Sequence, residues 1–179
     1  MPLVRSFPPL EDRRARILIL GSMPGAASLA AGQYYAHPRN LFWPIMGSLF
    51  GAGPDLPYAA RVRRLKACGV AVWDVLESCV RPGSLDADID EDSIAVNDFA
   101  GFFAAHTAVE AVFFNGAKAE AAYRRHVMAG LPAVAGGLRA RRLPSTSPAH
   151  AALSFEKKLA AWAAALESGR TFVKRGSLP

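Results

Sequence analysis

Arg14–Gly25 reads RARILILGSMPG. A short run rich in Ile and Leu stops at a Gly-Ser-Met-Pro-Gly cluster, as a buried strand stops at a loop, which predicts a strand over 14–20. Three further strands are read. Gly69 opens VAVWDVL through Leu76, VEAVFF runs from Val109 to Phe114 and ends at Asn115-Gly116, and the fourth lies around Leu138 to Leu143. Helical spacing fills the intervals. Phe42, Ile45, Met46, Leu49 and Phe50 place a helix that starts close to Asn40, with Pro44 in its first turn. Leu56 to Cys68 is helical with a basic face of Arg61, Arg63, Arg64 and Lys66. Ser93 is a candidate cap for an apolar helix over Ile94 to Ala105, and another helix spans Ala117 to Met128. After a Gly-Pro-rich loop and the fourth strand, Ser147-Pro148 reads as cap and first residue of a helix reaching about Ser168. The tail after Gly169 is read as loosely held.

Strands apolar along their length and alternating with helices imply an α/β fold, a parallel sheet covered on both faces. Ligands of such sheets bind outside the carboxyl ends of the strands. The loops Gly21 to Asn40, Asn115-Gly116 and Pro144 to His150 are therefore the candidate site. The first is twenty residues long, and loops of that length in a compact domain are usually functional or disordered; its pair Tyr34-Tyr35 argues against disorder.

The 179 residues predict one domain over 1–179, large enough to bury about 70% of its extended surface. An apolar content of 51% with 20% charged residues excludes a fibrous or disordered chain. Cys68 and Cys79 make neither a disulfide framework nor a four-ligand zinc site, so they are read as reduced structural thiols and the protein as cytoplasmic. The uncharged stretch Ile17 to Ala36 carries three Gly, one Pro and two Ser, which excludes a membrane span, and the N-terminus lacks the apolar core of a signal peptide. Net charge is +6, yet Asp86 to Asp92 holds five acidic and no basic residues, leaving 21 basic against 10 acidic residues elsewhere. That asymmetry suits a polyanionic partner such as DNA or RNA. The acidic run itself reads as a solvated loop facing away from that partner.

Within the first loop, the glycines let backbone N–H groups approach a phosphate or a base edge, and Tyr34 and Tyr35 offer flat faces for stacking. Asn40 either caps the following helix or orients a water through its carboxamide. No Gly-Lys-Ser/Thr follows Gly25, so a Walker phosphate cradle is absent. Asn115 either turns the chain or reads a base edge. Asp74 is assigned to structural hydrogen bonding.

Gly21-Ser22-Met23-Pro24-Gly25, followed by Tyr35-Ala36-His37-Pro38-Arg39-Asn40 and Phe42-Trp43, resembles the first motif of the uracil-DNA glycosylase superfamily, and particularly its hypoxanthine-DNA glycosylase family. Leu143-Pro144-Ser145-Thr146-Ser147-Pro148-Ala149-His150 is similar to the superfamily's second motif, the DNA-penetrating loop. The resemblance spans about residues 15 to 168. It implies a three-layer α/β/α sandwich around a four-stranded parallel sheet, and monofunctional hydrolysis of the N-glycosidic bond of a deaminated base in DNA, with no metal or other cofactor and with the nucleotide turned out of the helix.

In the uracil and mismatch branches the third residue of the first motif is a carboxylate or an Asn; here it is Met23, as in the hypoxanthine branch, where the Asn matched by Asn40 is catalytic. The resemblance further implies base contacts from Gly21, Ser22, Met23, Tyr35 and Asn115. DNA contacts fall to Pro144, Ser145, Thr146, Ser147, His150 and Arg142. His37 braces its loop. Hypoxanthine is the first substrate, uracil or a G:T mismatch the alternative, and a non-catalytic lesion binder the rival from another class. The protein is expected to act as a monomer.

Overall fold

The computed structural model describes residues 3–131 and 137–170; the predicted tail beyond 170 and part of the Gly-Pro-rich loop lie outside them. The four predicted strands become β2 (Ile17–Gly21), β3 (Val70–Asp74), β6 (Ala111–Asn115) and β7 (Arg139–Leu143). They form one parallel sheet in the order β3-β2-β6-β7. Ile17 pairs with Val70 on one side and Ala111 on the other, and Ala111 pairs in turn with Arg139. Every residue of β2 and β3 is buried, as strands covered on both faces require. β7 is an edge, and its exposed Arg139, Arg141 and Arg142 leave only Leu143 buried; charged side chains are a usual device for protecting such an edge.

Trp73, Leu20 and Phe114 lie side by side in register and so point to one face. Trp73 meets Phe99 and Phe102 of α4 (Phe99–Ala105), while Phe114 meets Tyr123, which follows α5 (Ala117–Ala122). Phe99 and Tyr123 touch edge to face, closing this layer. The other layer is α2 (Phe42–Phe50), α3 (Tyr58–Ala67) and α6 (Phe155–Arg170). Here Phe42 packs edge-on to both Trp43 and the fully buried Trp162. The result is the three-layer α/β/α sandwich with a four-stranded parallel sheet.

Several boundaries differ from the sequence reading, each for a local reason. The run VAVWDVL divides at Val75: the Val75 and Leu76 N–H groups donate to the Gly21 and Ser22 carbonyls, and the chain then leaves as β4 (Leu76–Val80). β4 joins β1 (Leu3–Arg5) and β5 (Ala95–Val96) in a small antiparallel sheet. Ser93 does not cap a helix; its hydroxyl accepts from Val80 N–H and donates to the Asp90 carbonyl. Asp98 caps α4 instead, accepting from Gly101 N–H at 2.9 Å. The helix beginning at Ala117 widens into a π turn over Tyr123–Val127. The last helix begins at Phe155 rather than Pro148, because the Ser147 hydroxyl accepts from Ala149 N–H in a single turn and the Ser154 hydroxyl caps the helix, accepting from Lys157 N–H. Cys79 is buried, whereas Cys68 is exposed at the end of α3 rather than packed.

Candidate active site

The chain crosses from β2 to β3 on one side of β2 and then returns to β6 on its other side, so the strand order reverses at β2. The loops leaving β2 and β6 part at that point, and the crevice between them is where a parallel sheet holds its ligand. A cavity of about 440 Å³ opens there, walled by the loop after β2, the turn after β6, the loop after β7 and, unexpectedly, residues 84–87.

The first loop is not featureless. It contains α1 (Ala26–Ala31), stopped by Gly32 in the left-handed region. Tyr34 is only 2% exposed and anchors the loop: its hydroxyl donates to the Phe7 carbonyl, its N–H donates to the Tyr58 hydroxyl and its carbonyl accepts from Trp43 Nε1 at 2.8 Å. Tyr34 is therefore a core residue, not a stacking face. Tyr35 takes φ +55°, a left-handed conformation that costs an aromatic residue on the order of 1–3 kcal/mol. The Trp43 bond to Tyr34 and the bond from Ala36 N–H to the buried Ser28 hydroxyl hold it there. One face of the Tyr35 ring stacks on Phe42 at 4.0 Å, and the residue lines the cavity.

Asn40 also lines the cavity, just before α2. Its Oδ1 accepts from Phe42 N–H at 2.9 Å, which orients the carboxamide at the start of the helix. His37 accepts from Arg39 N–H through Nδ1, which braces the segment. Met23, 7% exposed, packs into the wall.

The second loop is knitted to the first. Leu41 N–H donates to the Thr146 carbonyl at 3.0 Å. The Asn115 amide closes on Thr146 from both ends, donating to Oγ1 and accepting from the N–H, each at 2.8 Å. Thr146 is fully buried, which corrects its reading as a phosphate donor: it holds the loop. Gly116 sits at φ +103°, and a Cβ there would meet the Ser145 Cβ at 3.0 Å, so only glycine permits this approach. Trp162 Nε1 donates to the Pro144 carbonyl and Lys158 Nζ to the His150 carbonyl, tying the loop to α6. Ser145, Ser147 and His150 line the cavity, with the His150 side chain exposed at its rim. Arg142 lies outside the cavity lining, 3.5 Å from Glu120.

Two features escape the sequence reading. Asp74 ends β3 in the cavity wall, 3% exposed, with Oδ2 buried and without a hydrogen-bond partner among the described residues. Burial, reinforced by the negative charge of Asp86 and opposed by Arg81, pushes its carboxyl up to about 8. Burial, with Asp74 as the next cause, also raises the Tyr35 hydroxyl. Gly21 is obligatory beside this group, since a Cβ would lie 2.4 Å from Asp74 Oδ1 and 3.0 Å from Tyr35 Oη.

The acidic run, expected to face away, instead folds over the first loop: the Asp86 carboxylate accepts from the Ser22 hydroxyl at 2.7 Å and the Ser84 hydroxyl accepts from Ala26 N–H at 2.9 Å. Just before it, the buried Arg81 donates to the Pro24 carbonyl. The only signal in the sequence was the Pro82-Gly83-Ser84 turn, which returns the chain but does not say to what.

No group of three or more His, Cys, Asp or Glu among the described residues is placed to hold a metal ion, and no described helix is long and apolar enough to cross a membrane.

Residues 8–168 match the family model of the uracil DNA glycosylase superfamily. Two curated relatives, each named hypoxanthine DNA glycosylase, come from Methanosarcina acetivorans and Methanosarcina barkeri. Each is 37% identical, over 116 and 115 residues respectively, covering 64% of this chain and 72% of the relative. The solution structure of a Methanosarcina acetivorans protein provisionally described as a uracil DNA glycosylase superposes with a TM-score of 0.76 at 31% identity, covering 94% of this chain and 99% of that one. With the parallel sheet, the paired loops and this match over nearly the whole chain, the protein belongs to the uracil DNA glycosylase superfamily.

Proposed function

We propose that this DNA N-glycosylase hydrolyses the N-glycosidic bond of hypoxanthine in DNA, opening base-excision repair, and that it acts as a monomer of one domain in the cytoplasm. The observation that carries the reading is the pairing of Asn40 with Met23. The side chain on the first loop that could position water from the Met23 place is apolar and packed into the wall, while the Asn40 carboxamide, held by Phe42 N–H, stands at the same cavity. The names of the two Methanosarcina relatives support the same substrate.

The nucleotide leaves the stack so that the base enters the cavity. Tyr35 stacks on the base, with Gly21, Ser22 and Met23 beside it. Asn115 meets the base edge with the amide hydrogen and oxygen lone pair that Thr146 leaves free. Asn40 orients a water toward C1′ as positive charge develops on the sugar. A neutral amide is a poor base, so electrostatic stabilisation and positioning supply much of the rate. Ser145, Ser147 and His150 present the rim to the DNA, with Pro144 leading into it, and Arg142, once released from Glu120, reaches a phosphate.

The test is a panel of end-labelled duplexes carrying inosine, uracil, xanthine or a G:T mismatch, treated with the protein and then with alkali. Breakage of the inosine strand ahead of the others is expected. Breakage of uracil or G:T strands alone moves the substrate to that branch, which the description of the solved Methanosarcina structure favours. Salt-sensitive binding with no broken strand leaves a lesion-binding protein.

A further inference from the structure

Asp74 is a buried carboxyl in the wall of the cavity that Asn40 also lines, and its Oδ2 has no partner among the described residues. A buried polar atom left unpaired costs on the order of 1–3 kcal/mol, and such atoms in a native protein call for a reason. The neighbouring β-strand gives up any side chain to make room: Gly21 lies so close that a single added carbon would strike Asp74 Oδ1. Resting on the hypoxanthine reading above, we infer that Asp74 enters the cleavage as a neutral carboxyl whose proton passes to a ring nitrogen, N7 or N3, of the departing purine.

The surroundings keep the proton on Asp74 in the free protein. Burial is the largest influence, and the carboxylate of Asp86, brought over the loop by Ser22, acts in the same direction; Arg81 opposes them. From the first loop, the Tyr34 and Tyr35 hydroxyls are the titratable groups nearest in charge coupling, both raised by burial and therefore neutral. His37 and His150 are the other titratable groups on the cavity.

The step balances. The Asp74 O–H bond breaks and its proton bonds to the ring nitrogen; the C1′–N9 pair leaves with the base, which departs neutral. The water held by Asn40 bonds to C1′ through oxygen, and its proton returns, through solvent, to the Asp74 carboxylate. Asn40 cannot donate this proton without becoming an anion, so the two residues divide the work between nucleophile and leaving group. General-acid assistance of this kind is worth about 10²–10⁴-fold.

The experiment is single-turnover excision from an inosine duplex between pH 6 and 10 by the wild type and by Asp74→Asn, which keeps shape and loses the acid. The wild-type rate is expected to be level at low pH and to fall tenfold per pH unit above about 8, and Asp74→Asn to be at least about 100-fold slower with that limb missing. Binding of an uncleavable 2′-fluoro-inosine duplex should stay within a few-fold. A second readout needs no turnover: the infrared difference between wild type and Asp74→Asn at pH 6.5 should contain a protonated-carboxyl carbonyl band that disappears above pH 9. Wild-type rate and pH limb retained in Asp74→Asn, or an ionised Asp74 at pH 6.5, overturns the inference while leaving the hypoxanthine reading in place. A wild type inert on inosine overturns both.

Discussion

The Asn40 carboxamide has one structural contact and one proposed catalytic role, and substitutions can part them. Its Oδ1 accepts from Phe42 N–H at the start of α2, a hydrogen bond worth about 0.5–1.5 kcal/mol. Asn40→Ala should therefore lower the melting temperature slightly and lower single-turnover excision by about 10²-fold or more, as loss of a group acting in the transition state does. Duplex affinity should change only a few-fold, since phosphate contacts act throughout. Asn40→Asp keeps the acceptor and should restore the melting temperature, so the stability and rate effects separate. Wild-type turnover by Asn40→Ala would remove this residue from the chemistry. Met23 offers the complementary change. Its side chain is 7% exposed against the same cavity, and Met23→Asn puts a carboxamide where the uracil branch carries one. The variant is expected to gain strand cleavage on uracil duplexes; neutrality on every substrate would mean that this side chain does not face the reacting sugar.

The elements that present the site were legible where the chemistry is local and illegible where it depends on a distant partner. Three of the four strands follow from apolar runs, the basic edge strand β7 being the exception, and the Gly-Ser-Met-Pro-Gly turn points to the cavity unaided. That Val75 marks a change of sheet could not be read, because Trp73 and Leu76 are equally apolar and buried, one facing the main sheet's helices and the other in β4. Nor could the end of the loop after β7: Ser147-Pro148 has the composition of a helix start, but the Ser147 hydroxyl is engaged by Ala149 and α6 waits for Ser154. Asp74 looked like an ordinary strand-end acceptor because the cavity it lines is closed only when the fold brings Tyr35 and residues 84–87 to it. The interlock of Asn115 with Thr146 is likewise invisible until the fold brings them together, and it is testable. Asn115→Ala leaves the buried Thr146 N–H and hydroxyl without this partner, a loss of about 2–4 kcal/mol. Urea unfolding should show that loss, accompanied by faster proteolysis within 144–150. A change under about 0.5 kcal/mol, the size of an ordinary surface substitution, would mean that the loop is held from elsewhere.

At the scale of the whole molecule, charge is sorted around the cavity. β7 carries exposed arginines into the loop that follows it, while the acidic segment lies over the first loop. Arg141 is exposed on that edge, and Arg141→Ala should reduce the slope of log affinity against log salt by about one, leaving the excision rate at saturating protein unchanged. An unaltered slope would place the phosphates on another face. Burying Asp74 also has a consequence for the entire fold. Its carboxyl is raised from 3.8 to about 8, so between those values the folded chain holds one proton that the unfolded chain has released. Stability then falls as pH rises, by at most about 1.4 kcal/mol per pH unit from this group. Below about pH 4 both states are protonated, and above about pH 8 both are ionised, so the contribution is flat on either side. Asp74→Asn never acquires the charge. The unfolding free energy of the wild type, measured against that variant in urea at successive pH values, should therefore decline steadily from about pH 4 to about pH 8 and then level off. A difference between the two proteins that stays constant across that interval would show that Asp74 is ionised in the folded state throughout, with a positive charge close enough to offset its burial.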